Sequence, residues 1–188
     1  MKTNALILLF PKESFQLPFE EGLPEGYYVR TYRDGDREKY NRLLEEEGWK
    51  LGEEQLEDFF NRILPDGLLF IVCEKTEEIV ASAAALHNPK SSYYTFPFGG
   101  NIGFVFTKQD HRNNGLGRYV TALATRRLIS AGYTSIRVVT NDHRLPALKT
   151  YLTIGYKPFL YSSDMEQRWR NVYHRLDLVF ERMECLEV

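Results

Sequence analysis

The loop at residues 110–118 is the segment of this sequence best suited to binding an anion. Gly115 and Gly117 stand between an apolar strand and a helical pattern, so the first backbone N–H groups of the helix are free and its dipole adds to their attraction for negative charge. Because neither glycine has a Cβ atom, a pyrophosphate can approach the backbone closely. Arg112 and Arg118 add positive charge at the rim. These residues predict a phosphate-binding loop; glycines that serve only to begin a helix are the alternative interpretation.

The residue spacing excludes two common nucleotide sites. The chain has no Gly-Lys-Ser/Thr sequence of the kind that a Walker loop needs, and the glycine spacing differs from the dinucleotide-binding fingerprint.

A second segment, residues 140–156, contains a well-delimited helix. Pro146 is typical of a first helical turn, and Gly155 is typical of the position just after a helix end. Ala147 and Tyr151 are four residues apart and therefore share one helical face, where the small residue leaves a gap beside the phenol. This arrangement fits a narrow ligand arm with a hydroxyl group next to it.

Together, the two segments resemble the acetyl-CoA signatures of the GNAT superfamily of N-acetyltransferases. The first signature is Gln or Arg, two variable residues, Gly, one variable residue, then Gly or Ala, and Arg112, Gly115 and Gly117 match it. The second ends in Ala, three residues, Tyr, three residues, Gly and an aromatic residue, and the matching residues are Ala147, Tyr151, Gly155 and Tyr156. The resemblance covers about residues 101–160.

The resemblance implies that acetyl-CoA is a cosubstrate, bound in a gap where the sheet splays beside the strand at 102–107. Its pantetheine arm would pair with backbone groups of Phe104, Val105 and Phe106, and a backbone N–H near Val105 would stabilise the oxyanion of the reaction. Ala147 would leave room for the arm. The pyrophosphate would rest beside Arg112 on the loop residues Asn113, Asn114, Gly115, Leu116, Gly117 and Arg118.

The mechanism implied by the resemblance is direct attack of a neutral amine on the thioester carbonyl. Tyr151 would protonate the departing sulfur, since a phenol with a pKa near ~10 is a credible proton donor at neutral pH. A tyrosine that only packs in the core is the alternative.

Two parts of the expected site depart from the family pattern. The family often places a glutamate on the strand before the phosphate loop, whereas the strand residues 102–106 carry no carboxylate. Glu74 and His87 are weak candidates for the general base, because a solvated glutamate and a hydrogen-bonded surface histidine are commoner. The base is therefore unassigned. Arg144 replaces an asparagine found in many members, and it could contact a phosphate or pair with Asp142.

Strand and helix patterns alternate along the chain, which predicts an α/β fold with helices on both faces of a mixed, mostly antiparallel sheet. Residues 1–26 are expected to form an extended arm, and residues 27–188 a single N-acetyltransferase domain. Apolar residues from Met165 to Met183 recur at helical spacing and predict a long C-terminal helix. The other predicted elements are strands at 27–32, 68–74, 78–87, 102–107, 134–140 and from 156, and helices at 36–47, 53–64, 115–131 and 146–154.

Composition narrows the class of protein. The 188 residues include 24 basic and 26 acidic side chains, so the net charge of -2 argues against a nucleic-acid partner. Two cysteines argue against a disulfide framework or a zinc site, and we expect no metal. The apolar run 5–10 is shorter than a signal-peptide core, and no segment is long enough to span a bilayer. We therefore expect a cytoplasmic protein without a membrane partner.

Three functions remain open. The first is an enzyme that transfers acetyl from acetyl-CoA to a primary amine of a small molecule or peptide, with a homodimer compatible with this function. The second is a non-catalytic acyl-CoA-binding module, and the third is a phosphate-binding protein unrelated to acetyl transfer. Aromatic residues could line an apolar acceptor pocket, although core packing is the commoner role of such residues. They are Trp49, Tyr93, Tyr94, Phe96, Phe98 and Trp169.

Overall fold

The computed structural model describes residues 5–15, 22–90, 95–182 and 185–187. The strands are β1 (Leu6–Phe10), β2 (Tyr27–Thr31), β3 (Ile63–Cys73), β4 (Glu78–His87), β5 (Gly99–Thr107), β6 (Ser135–Thr140), β7 (Lys157–Leu160) and β8 (Leu186–Glu187). The helices are α1 (Asp36–Glu46), α2 (Glu53–Arg62), α3 (Leu116–Ser130), α4 (Leu145–Ile154) and α5 (Met165–Arg175). These elements confirm the predicted alternation, with β3 beginning five residues earlier than the expected strand start.

The eight strands form one sheet in the order β2-β3-β4-β5-β6-β1-β7-β8. Neighbouring strands are antiparallel except for β5 with β6 and β7 with β8, which are parallel. The prediction of a mixed, mostly antiparallel sheet is confirmed. Residues 109–111 form a short 3-10 helix directly after β5.

Helices cover both faces of the sheet, as predicted. Along β3, Phe70 faces α1 and α2, whose buried Tyr40 and Phe59 pack against it. Because successive strand residues point to opposite faces, the neighbouring Ile71 belongs to the other core, together with residues of α3, α4 and α5. Across the described part of the chain, no helix is long and apolar enough to cross a membrane, and no cluster of side chains suits a metal ion.

The prediction that residues 1–26 form an extended arm is wrong for Leu6–Phe10. This run is β1, an interior strand that pairs with β6 on one side and β7 on the other. Its side chains at Leu6, Ile7 and Leu8 are fully buried. A strand covered on both faces needs a continuous apolar run rather than an alternating one, which is why its sequence lacks the usual strand signature. Residues 1–4 and 16–21 lie outside the described part of the arm.

The prediction of a long C-terminal helix is also wrong, because α5 ends at Arg175. Asp177 adopts the left-handed conformation, with φ of 56°, and Leu178 N–H donates to the carbonyl of Tyr173. This hydrogen bond closes a Schellman turn that reverses the chain. Phe180 then folds back onto Tyr173, with ring centroids 5.3 Å apart. Its spacing from Tyr173 resembles that of a helix, but the two rings meet because the chain reverses between them. Met183 lies outside the described residues.

Candidate active site

The sheet opens beside the second half of β5. Pairing with β6 runs from Gly99 to Ile102 and stops there, whereas pairing with β4 continues to Thr107. The backbone from Gly103 to Thr107 therefore has one strand neighbour. This is the splay that the resemblance implied.

A β-bulge shapes the open part of β5. Phe104 and Val105 lie where β4 has only Ala83, and Phe104 has a φ of 52°, in the left-handed region. The Ser82 hydroxyl donates to the Phe104 carbonyl at 2.9 Å, and the buried Tyr40 hydroxyl lies 3.0 Å from the Ser82 oxygen. Since the single Ser82 proton goes to the carbonyl, Tyr40 donates to Ser82. This chain of hydrogen bonds holds the bulge from the α1 side.

The opening continues into a cavity of about 650 Å³ that brings together the two sequence segments. Most of the predicted site residues line this cavity. They are Val105 and Phe106 of β5, Ala147 and Tyr151 of α4, and most residues of the loop. Two of the predicted residues do not, namely Phe104 and Asn114. The ring of Phe104 packs against that of Phe59, with ring centroids 4.0 Å apart. The lining loop residues are Arg112, Asn113, Gly115, Leu116, Gly117 and Arg118.

The loop has the geometry of an anion site. Asn113 and Gly115 are left-handed, with φ of 66° and 74°, and α3 begins immediately afterwards at Leu116. The first N–H groups of a helix have no partners within it, and Gly115 offers no side chain to cap them. A Cβ atom added at Gly117 would lie 3.0 Å from the Thr107 hydroxyl, so the backbone there fits closely against the end of β5. A phosphate fits this arrangement.

Tyr151 lies in the wall of the cavity with 7% of its surface exposed. Burial raises the pKa of its phenol to about 12, and the positive charge of Arg144 opposes part of that shift. The phenol is therefore protonated at neutral pH. Its neighbour Tyr156 has its hydroxyl engaged by Thr125 at 2.7 Å, in the core.

The structure separates the weak base candidates from the cavity. Glu74 is exposed at the end of β3, where its backbone N–H donates to Gly26. His87 is exposed at the far end of β4 and hydrogen-bonds with the Tyr133 hydroxyl at 2.8 Å. Neither residue lines the cavity.

Arg144, which was expected either to contact a phosphate or to pair with Asp142, lines the cavity. The carboxylate of Asp142 is bound instead by Arg168, whose Nε lies 3.0 Å away.

Two residues from the turn after α1 also line the cavity, and of these the sequence did not indicate Glu47. Glu47, with 17% of its side chain exposed, lies 3.7 Å from Arg112 Nη2, and Trp49 lies above Phe106 with ring centroids 6.2 Å apart. Glu47 ends an acidic run at the end of a charged helix, which is typical of a solvated face. No local signal distinguishes it from Glu45 and Glu46.

Among the aromatic residues expected to wall an acceptor pocket, Trp49 is the one that the described structure places at the cavity. Trp169 is fully buried in the α5 core, Phe96 packs against Phe159, and Phe98 is 77% exposed. Core packing explains Trp169 and Phe96. Tyr93 and Tyr94 lie outside the described residues.

Solved structures share this fold. The GCN5-related N-acetyltransferase from Sphaerobacter thermophilus superposes with a TM-score of 0.64 at 17% identity, over 82% of this chain and 48% of that chain. Glucosamine-6-phosphate N-acetyltransferase from Arabidopsis thaliana superposes with a TM-score of 0.51 at 20% identity, over 70% of this chain and 91% of that chain. AAC(6')-Iy, in complex with the bisubstrate analog CoA-S-monomethyl-acetylneamine, superposes with a TM-score of 0.53 at 13% identity, over 69% of this chain and 89% of that chain. This chain spans about half the length of the Sphaerobacter protein.

Sequence comparison is more decisive than these likenesses of fold. No curated protein matches the sequence. The model of the acetyltransferase (GNAT) family, however, matches residues 17–156, which include β2 to α4 and both segments of the cavity. The chain therefore belongs to the acetyltransferase (GNAT) family.

Proposed function

We propose that this chain binds acetyl-CoA and transfers its acetyl group to a primary amine of a small molecule or peptide. The observation that carries this proposal is the single cavity in which the open edge of β5, the glycine loop and Tyr151 meet. The loop would hold the pyrophosphate, with Arg144 beside it. The open backbone at Val105 would take the pantetheine arm and the thioester.

The chain's own groups supply the chemistry expected of this reaction. A backbone N–H at the bulge would stabilise the oxyanion that forms when a neutral amine attacks the carbonyl. Tyr151 would hydrogen-bond the leaving sulfur and relay a proton to it. Because its pKa is about 12, it is a weak acid toward a thiolate of pKa ~8.5. We infer that it acts as a relay, taking up the proton that the new ammonium nitrogen loses.

One observation favours a second function, a non-catalytic acyl-CoA-binding module. The strand β5 carries no carboxylate that could serve as a base. Thioester consumption with a panel of primary amines separates the two functions. Release of coenzyme A that depends on the amine supports the enzyme, whereas tight binding of coenzyme A without turnover for any amine supports the module.

A further inference from the structure

Charge is unevenly distributed over the wall of the cavity. The basic side chains are Arg112, Arg118, Arg144 and Lys149, which suit an anionic cosubstrate. Among the described residues that line the cavity, Glu47 is the only acid. An amine acceptor is cationic at neutral pH and would meet this carboxylate as its one attractive charged group.

Glu47 is held in place by the turn that ends α1. Gly48 is left-handed, with φ of 94°, its N–H donates to Glu45, and Trp49 N–H donates to Leu44 at 2.9 Å. This is a Schellman turn, anchored by the buried Leu44. The turn directs both Glu47 and Trp49 to the cavity, whereas Glu45 and Glu46 are exposed.

A carboxylate at this position does not serve the helix. The C-terminus of a helix carries partial negative charge and prefers cations, so Glu47 opposes the dipole of α1. Its partner is Arg112, at a long distance of 3.7 Å, and the side chain of Arg112 is 54% exposed. Such a pair contributes little to stability. The end of α1 therefore carries concentrated negative charge, and the Arg112 side chain is only weakly paired with it.

We propose that Glu47 binds the ammonium group of the acceptor and takes its proton, and that the acceptor carries an apolar group that packs on Trp49. The proposal rests on the proposed acetyl transfer and names the acceptor class for the same cavity. Trp49 is half-buried, with Phe104 at 5.8 Å and Phe106 at 6.2 Å between ring centroids. Trp49 and Phe106 line the cavity, and Phe104 supports Trp49 from behind, so an apolar surface begins two residues from the carboxylate.

The proton balance of this step is complete. The ammonium gives one proton to the Glu47 carboxylate, which passes it to solvent, and the neutral amine forms the C–N bond. The C–S bond then breaks. The second proton leaves the nitrogen and reaches the thiolate through Tyr151, giving an amide and the free thiol.

Glu47 and the cosubstrate site are linked through Arg112. A pyrophosphate on the loop offers Arg112 a stronger partner than a carboxylate at 3.7 Å. Binding of the cosubstrate would therefore free Glu47 for the acceptor.

The test compares benzylamine, which is protonated at neutral pH, with aniline, which is not. With the Glu47→Gln enzyme we expect kcat/KM for benzylamine to fall roughly a hundredfold, while that for aniline and the Kd of acetyl-CoA change less than about threefold. Glu46→Gln, one residue away and exposed, is the matched control and should behave as wild type. Trp49→Ala should raise KM for benzylamine more than KM for ethanolamine.

Three results overturn the proposal in distinguishable ways. Equal losses of kcat/KM for benzylamine and aniline, with weaker acetyl-CoA binding, would mean that Glu47 only positions Arg112. An unchanged benzylamine rate in Glu47→Gln would remove its role altogether, and a wild-type preference for ethanolamine would remove the apolar contact. If wild type acetylates no amine, the proposed acetyl transfer itself fails.

Discussion

At the scale of single residues, Tyr151 illustrates how burial sets both the strength and the limit of a proton donor. Its pKa of about 12 ensures that the phenol is present at neutral pH, and it also makes the phenol a poor acid. The hydroxyl would therefore act mainly through hydrogen bonding to the sulfur and through relay. The ring is separately needed to fill the core beside Tyr156, at 6.1 Å between centroids.

Tyr151→Phe should isolate the hydroxyl, because it retains the ring and its packing. We expect turnover to fall by about a hundredfold, near the lower end for acid–base catalysis, with the acetyl-CoA Kd nearly unchanged. Single-turnover kinetics and calorimetry check the two quantities. Turnover at the wild-type rate, with chemistry rate-limiting, would make Tyr151 a packing residue.

The pKa of the acceptor amine and that of Tyr151 together predict the shape of the pH profile. The rate should rise from acid toward alkaline pH, because an acceptor amine with a pKa near ~10 is largely protonated at neutral pH. The raised pKa of Tyr151, about 12, keeps the phenol protonated well above the ordinary tyrosine range, so no decline is expected up to about pH 10. Initial rates with a saturating alkylamine provide the test. A falling limb below that pH that is absent in Tyr151→Phe would contradict it.

At the scale of elements, the glycine loop joins β5 to α3 with little space at their junction. Gly117→Val should leave the fold intact but weaken acetyl-CoA binding at least tenfold, because the added side chain enters the space between the loop and Thr107, where a Cβ atom alone would lie 3.0 Å from the hydroxyl. Calorimetry measures the affinity. Gly22→Val is the control, since no atom lies within 4 Å of a Cβ there. Equal affinities in both variants would place the phosphate site elsewhere.

The bulge in β5 provides a second prediction at this scale. Ser82→Ala would leave the Tyr40 hydroxyl and the Phe104 carbonyl without their partner, at a cost of about 1–3 kcal/mol in the free energy of unfolding. Adding Tyr40→Phe removes one orphaned group, so the double variant should be more stable than additivity predicts. Urea denaturation measures all three variants. Strict additivity would show that the two hydroxyls do not act together.

The elements also show what could be predicted from sequence. The loop and the Ala147–Tyr151 face were predictable because each depends on spacing within one element, and the structure joins them in one cavity. The place of Glu47 in the cavity was not, since the chain reversal after α1 brings it beside Arg112, which is distant in sequence, and its neighbours are equally acidic. The end of α5 was missed because it depends on a left-handed Asp177 rather than on a glycine.

At the scale of the whole molecule, β1 holds two parts of the sheet together. Leu8 is fully buried between β6 and β7. Leu8→Ala should lower the free energy of unfolding by about 2–5 kcal/mol, the range for a core leucine. Val139→Ala on β6, at a position 38% exposed, should cost much less. Chemical denaturation compares the two variants, and similar losses would contradict an interior role for β1.

The position of β1 also determines the order in which the molecule can assemble. Strands β2 to β5 pair with the strands that come next in the chain, so each pair can form before β6 and β7 are made. Leu6, by contrast, pairs with Thr140, and Leu8 with Pro158. Contacts of such long sequence separation slow folding. On the ribosome, β1 must therefore remain without its sheet partners until β6 and β7 have emerged, and during that time its apolar side chains are exposed to aggregation.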